Sequence, residues 1–155
     1  MKRINIRRAT ATDWNTVYKF VSALEERTFD AEDFRNLYQQ NSSRPEYYYL
    51  IAEAEGTPVG FISLHTQVLL HHGGRTGEIQ ELYVEESHRG KGVGQRLLAD
   101  VEKIAIDIGL LEIEITAHLR RTVAHRFYQR HGYTHSHLKF TKTTAFAEKA
   151  YISKS

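Results

Sequence analysis

The chain has no cysteine, which excludes disulfides, thiolate zinc sites and a cysteine nucleophile, so any group transfer must use another residue or pass directly to its acceptor. It has no apolar run of the roughly 20 residues that a bilayer span requires. The opening Met1-Lys2-Arg3-Ile4-Asn5 lacks the hydrophobic core of a secretory signal. The expectation is a cytoplasmic protein with no membrane partner. A Pro/Gly/Ser-rich linker, a low-complexity tract and a solenoid-length repeat are also missing, so the 155 residues, 41% of them hydrophobic, read as a single domain over 1–155. Charge of one sign is lacking too. Lys and Arg number 21 against 19 Asp and Glu, a formal net charge of +2, and no basic stripe or recognition helix stands out, so nucleic acid is not an expected partner.

What is present is a regular order of elements. Ile4, Ile6 and Arg8 alternate with polar neighbours as a first strand would. Trp14, Val17, Tyr18, Val21 and Leu24 recur at helical spacing, and a second helix is expected from Ala31 to Gln40, ended by Asn41-Ser42-Ser43-Arg44-Pro45. Tyr47 to Ala54 and Val59 to Leu70 are rich in β-formers and flank a turn at Glu55-Gly56-Thr57-Pro58. Gly77 to Val84 completes an antiparallel meander. Val93, Leu97, Leu98, Val101, Ile104, Ala105 and Ile108 form one face of a helix that Gly109 caps. Leu111, Ile113 and Ile115 alternate with Glu112 and Glu114 as a strand. A helix over about Arg121 to His131 and a final strand over Tyr133 to Lys142 close an α+β, or mixed α/β, order.

Between the third meander strand and the long helix lies Arg89-Gly90-Lys91-Gly92-Val93-Gly94. A strand, a glycine-rich turn and a helix present backbone N–H groups at the positive end of a helix dipole, which suits a phosphate. Lys91 is followed by Gly92 rather than by Ser or Thr, against a Walker loop, and the glycines do not run G-x-G-x-x-G, against a dinucleotide fingerprint. The R-x-x-G-x-G pattern set by Arg89, Gly92 and Gly94 resembles the acyl-CoA pyrophosphate loop of the GCN5-related N-acetyltransferase (GNAT) superfamily, and the element order is similar over nearly the whole chain. The resemblance implies a central twisted, mostly antiparallel sheet of six to seven strands flanked by about four helices. It also implies acetyl-CoA as cosubstrate and residues 89–94 as the loop that binds it.

The strand Glu78-Ile79-Gln80-Glu81-Leu82-Tyr83-Val84 has no cleanly apolar face under strict alternation, which a bulge or a wet cleft would explain. In the superfamily the corresponding strand is bulged. The resemblance makes Leu82, Tyr83 and Val84 the segment that pairs with the pantetheine amides, Glu78 the general base and Glu81 the second candidate. Both carboxylates also have the plain reading of solvated strand residues. In Ala124-His125-Arg126-Phe127-Tyr128, followed by Gly132-Tyr133, the aromatics could simply pack, whereas the resemblance makes Tyr128 the acid that protonates the CoA thiolate. The implied reaction is direct transfer to a primary amine of a small molecule.

Three stretches resemble one branch, the aminoalkylphosphonate N-acetyltransferases: Ser63-Leu64-His65 with Leu70-His71-His72, then Gly77 to Leu82, then Ala124 to Tyr128 with Ser136-His137 and Phe140-Thr141-Lys142. The branch implies a phosphonate-bearing amine as acceptor and a divalent metal ion. Arg120, Arg121 and Arg126 are candidate phosphonate cations, and His65 or His72 with Glu78 or Glu81 are the candidate metal ligands. None of these spacings is a strong metal motif, and most of the histidines also read as ordinary surface residues. A polyamine, an aminoglycoside or a protein amine is the alternative acceptor, with Tyr47-Tyr48-Tyr49 and the acidic stretch from Glu25 to Asp33 as parts of a cationic funnel. A non-catalytic acyl-CoA-binding module is the alternative class. The tail from Thr143 to Ser155, with Phe146, Ala150, Tyr151 and Ile152, reads either as packing on a second subunit, making a homodimer, or as a frayed end.

Overall fold

The computed structural model describes residues 2–147, so Ala150, Tyr151 and Ile152 of the tail lie outside the described residues. The chain divides into two compact units, residues 1–116 and residues 117–155. The first contains β1 (Ile4–Arg8), α1 (Trp14–Glu25), α2 (Ala31–Ser42), β2 (Tyr47–Ala54), β3 (Thr57–Leu69), β4 (Gly74–Val84), α3 (Val93–Ile108) and β5 (Ile113–Ile115). The sheet order is β1-β2-β3-β4-β5. All pairs are antiparallel except β4 with β5, which is parallel.

Strand alternation sorts the side chains onto two faces. On one, Gly60, Ile62 and Leu64 of β3 meet α3: a Cβ on Gly60 would lie 3.1 Å from Leu97 Cδ1 and 3.3 Å from Val93 Cγ1. The side chains of Val93, Leu97, Leu98, Val101 and Ala105 are buried along this helix, which starts after Gly92 and ends at Gly109, both at positive φ, where the missing Cβ removes the strain. On the other face Ile51 and Phe61 join Val17, Phe20, Val21 and Tyr38 in a core cluster beneath α1 and α2. Asp30 caps α2 by accepting from the Asp33 N–H at 2.9 Å. Arg7 on β1 donates to Asp13 and to Glu53 on β2, each at 2.8 Å, and so ties the turn before α1 to the sheet.

In the second unit α4 (Thr122–Arg130) is closed by Gly132 at φ 89°. The expected final strand over Tyr133 to Lys142 is not formed, and among the described residues the sheet has five strands rather than six to seven. A strand exists through its ladder, and this stretch has no ladder partner among the described residues; Leu138 and Phe140 are 74% and 89% exposed, so no apolar burial replaces it. The second helix runs to Ser42 rather than Gln40, because Asn41 and Ser42 continue it by about half a turn before Pro45. The remaining elements fall within a few residues of their expected bounds.

Leu97 is wholly buried between α3 and the sheet. Leu97→Ala should lower unfolding free energy by about 2–5 kcal/mol, measured by urea denaturation. A loss below about 1 kcal/mol would show that this interface is looser than its burial indicates.

Candidate active site

The strand register places the candidate residues. Ser63 pairs with Glu81 and Leu64 pairs with Ile79, so Gln80 is the extra residue of a β-bulge in β4. Without the bulge Glu78 and Glu81 would point to opposite faces; with it, both share the face of Ser63 and His65. Register then runs across four strands in one row, Tyr47 to His65 to Glu78 to Glu114. Neighbouring side chains in such a row lie on the same side of the sheet. The row is polar, beside the apolar cluster that Ile51 and Phe61 form on the same face beneath α1 and α2.

Each member has a defined environment. The His65 ring stacks on Tyr47 with centroids 3.6 Å apart, and its Nε2 lies 3.2 Å from the Tyr49 hydroxyl. Burial lowers the His65 pKa, which Glu78 opposes and Arg44 reinforces, so the imidazole is held toward its neutral form. Tyr49 is desolvated beside it and pushed up to about 12. The buried Ser63 hydroxyl accepts from the Glu81 N–H at 3.0 Å and donates to the Glu81 carboxylate. Burial raises the Glu81 pKa and Glu25 adds to the rise, while the Ser63 hydrogen bond opposes it. Glu78 is half-buried and accepts from the Thr116 hydroxyl at 3.4 Å.

The second feature is an open strand edge. β5 pairs only with Gly77, Glu78 and Ile79 of β4, so from Gln80 to Val84 no strand pairs with that edge among the described residues. Leu82, Tyr83 and Val84 pair with β3 on their other side. Beyond them Arg89 Nε donates to the Val84 carbonyl at 2.9 Å, and Lys91 Nζ to the Ser87 carbonyl at 3.0 Å. Gly90 and Gly92 have φ of 71° and 83°, and Gly92, the N-cap of α3, has no side chain to occupy the first-turn N–H groups. Val93 is buried against the sheet, which anchors the loop over the end of the open edge.

In the second unit the Tyr128 ring packs edge-on to Phe127 and to Tyr133, with centroids 5.5 and 6.1 Å apart. Burial raises the Tyr128 pKa, with Arg121 opposing, so the phenol keeps its proton. Arg120 Nε donates to His118 Nδ1 at 3.3 Å, His125 Nε2 lies 2.8 Å from the His118 carbonyl oxygen, and Arg126 and His137 are exposed.

His72 and His65 are separated by the structure. His72 falls in a group with Glu112 and Glu114, whose donor atoms all lie within 4.8 Å of one another, whereas His65 is held between Tyr47 and Tyr49. Glu112 and Glu114 were legible only as the outward residues of a strand. Their meeting with His72 depends on β5 lying parallel beside β4, which no local pattern encodes.

The sequence profile of the Acetyltransferase (GNAT) family matches residues 13–133. The chain belongs to this family. It is 41% identical over 137 residues to the aminoalkylphosphonate N-acetyltransferase of Salmonella typhimurium, covering 88% of this chain and 89% of that one. It is 25% identical over 115 residues to the spermidine N(1)-acetyltransferase of Thermoplasma acidophilum, covering 74% and 68%. The structure superimposes on a GNAT family acetyltransferase from Staphylococcus aureus with a TM-score of 0.76 at 20% identity, covering 93% of this chain and all of that one, which shows the fold. This GNAT protein is therefore an N-acetyltransferase, and enzymes of the family use acetyl-CoA as cosubstrate. Among the described residues no helix is long and apolar enough to cross a membrane.

The elevated Glu81 pKa carries a sign for stability. The neutral carboxyl is the form that burial favours, so its contribution is fully present below the ordinary carboxylate range and is lost as pH rises through the elevated folded value. Glu81→Gln is uncharged throughout and should gain on the wild type as pH rises from about 4 to 8, by on the order of 1 kcal/mol. Urea unfolding at both pH values measures this, and a gap that does not widen with pH would refute the desolvated carboxyl.

Proposed function

We propose that this GNAT enzyme transfers the acetyl group of acetyl-CoA directly to the primary amine of a small aminoalkylphosphonate. The observation that carries the acceptor is the 41% identity to the Salmonella typhimurium enzyme across nearly the full length of both chains. The chemistry follows from the site. The open edge from Gln80 to Val84 offers N–H and C=O groups to the two amides of pantetheine, as a strand would, and the Arg89–Gly94 loop with the first turn of α3 receives the pyrophosphate.

A primary amine is mostly protonated at neutral pH and cannot attack until it loses a proton. Glu78, half-buried and on the exposed side of the bulge, takes that proton, directly or through water. Glu81, held by Ser63 and by burial, shapes the field beside it and is the second candidate. The amine lone pair attacks the thioester carbonyl and a backbone N–H of the splayed strand near Leu82 or Tyr83 stabilises the oxyanion. The intermediate then collapses with cleavage of the C–S bond; Tyr128, which burial keeps protonated, gives its proton to the leaving thiolate, and the second proton lost by the nitrogen returns through solvent to restore the phenol. Acetyl-CoA and amine become CoA and amide, with no oxidant or reductant involved.

A second reading has its own support. The row carries carboxylates at Glu78 and Glu114, Glu81 opposite Ser63 lies on the same face, and Glu25 is near enough to raise the Glu81 pKa, which suits a cationic amine such as a polyamine. Similarity to the Thermoplasma acidophilum spermidine enzyme points the same way. Release of CoA thiol with 2-aminoethylphosphonate and, separately, with spermidine decides between them. Turnover with the phosphonate is expected; turnover with spermidine alone would transfer the assignment to polyamines.

Two substitutions test the roles. Tyr128→Phe should lower turnover by roughly 10²-fold or more with little change in acetyl-CoA affinity, and an unchanged turnover number would remove Tyr128 from the acid role. Glu78→Gln should lower turnover by about 10²–10⁴-fold. If Glu81→Gln costs that much and Glu78→Gln does not, the base is Glu81.

A further inference from the structure

We infer that His65 is a positioning residue for Glu78, with its Nδ1–H set by a hydrogen-bonded chain that runs from Asn41 in α2 through the Tyr49 hydroxyl to His65 Nε2. The ladder fixes the parts of this chain. Tyr47 pairs with His65 and Tyr49 with Ser63 across β2 and β3, so Tyr47, Tyr49 and His65 all stand on the face that carries Glu78. The His65 ring stacks on Tyr47 with centroids 3.6 Å apart and planes 6° from parallel, and the Tyr49 hydroxyl lies 3.2 Å from Nε2. Next to His65, the Thr66 N–H and Oγ1 both donate to the Glu46 carbonyl, at 3.0 and 2.9 Å, and hold the stretch between α2 and β2 against β3. Position and plane of the imidazole are therefore both constrained.

The direction of the chain decides which ring nitrogen carries the proton. Burial keeps the Tyr49 phenol protonated, so it has an O–H to give. The Asn41 side chain hydrogen-bonds the same oxygen and favours its charged form, which makes the Asn41 amide the donor of that pair. Among the described residues the Tyr49 hydrogen then has His65 Nε2 as its acceptor. An uncharged imidazole that accepts at Nε2 carries its own proton at Nδ1. Burial favours that uncharged ring.

A donor locked in this way has a use beside a base. His65 and Glu78 are register partners, which puts their Cβ atoms about 4.5–5.5 Å apart. Among the described residues the Nδ1–H has no acceptor of its own, so it is available to the neighbouring carboxylate. Holding one Glu78 oxygen, directly or through one water, it leaves the other oxygen turned to the ammonium proton. With Nδ1 protonated and Nε2 engaged by Tyr49, the ring has no free lone pair and does not compete for that proton. The link to turnover rests on the reading of Glu78 as base; the tautomer of His65 does not.

Long-range ¹⁵N–¹H correlation spectra of the full chain at about pH 8 read the tautomer, with the His65 signals identified by their loss in His65→Asn. The Nδ1–H form is expected in the wild type and a shift to the Nε2–H form in Tyr49→Phe. An Nε2–H ring in the wild type would overturn the chain. Thiol release with the amine that turns over reads the role. His65→Ala should lower kcat roughly ten- to hundredfold, the worth of one hydrogen bond to a charged group, with little change in the KM for acetyl-CoA. His65→Asn, whose amide N–H falls near the Nδ1 position, should recover part of that loss, and His65→Gln should not. In a Glu78→Gln background His65→Ala should cost little more. Circular dichroism establishes that each variant is folded. Full turnover in folded His65→Ala, or an undiminished loss in the Glu78→Gln background, would reject the positioning role. Wild-type turnover in Glu78→Gln alone would reject the base itself, and this role with it, while the spectra would still report the chain.

Discussion

The candidate site depends on one extra residue. Gln80 opposes nothing on β3, and by taking up one position of the alternation it brings Glu81 round to the face that already holds Glu78. The same irregularity falls where β5 stops pairing. A regular β4 would have buried one of the two carboxylates against the α3 helix, among Ile62, Leu64 and Leu97, at a cost that an unpaired charge there could not recover. The bulge therefore makes the acid–base row and the open edge compatible with an intact hydrophobic layer. The α3 side keeps its apolar register through Ile79 and Leu64, and the polar row is confined to the opposite face.

Charge balance in that row links the two acceptor readings. Glu78, Glu81 and Glu114 alone form an environment that favours a cationic amine and repels a phosphonate. His65 lies on the other side of Glu78 from Glu114, desolvated, held toward its neutral form and clamped by two tyrosines, so it adds no charge beside Glu78.

Local chemistry was the part of the structure that the sequence made readable. Val93–Ile108 is bounded by glycines that must adopt positive φ, and its apolar stripe is unambiguous, so both ends coincide with expectation. Tyr47–Ala54 is likewise found with its expected bounds. The failure of Glu78 to Val84 to alternate cleanly signalled a bulge, although not that the bulge would unite the two glutamates. Relations between distant segments were not readable. Glu112-Ile113-Glu114 looks like any half-exposed strand until β5 is laid parallel to β4, and Ser63 gains significance only through its register with Glu81. Tyr133 to Lys142 is placed where a returning final strand is expected, but element order does not provide a partner, and the described structure has no ladder there. The roles proposed for Glu78 and Tyr128 rest on resemblance, since no local pattern marks a base or an acid there.

The open edge of β4 has a colloidal consequence. From Gln80 to Val84 the strand presents peptide groups with no strand beside them among the described residues, a half-finished ladder of the kind that templates association with any extended chain. Shortness and the Arg89 side chain, which engages the Val84 carbonyl, blunt it without closing it. A cosubstrate that lay along this edge would complete the ladder, and the ligand-free molecule would then be the more adhesive of the two forms. The thioester pool would then act as a solubility partner as well as a reagent, keeping the enzyme monodisperse when acetyl groups are abundant and leaving it prone to self-association when they run short.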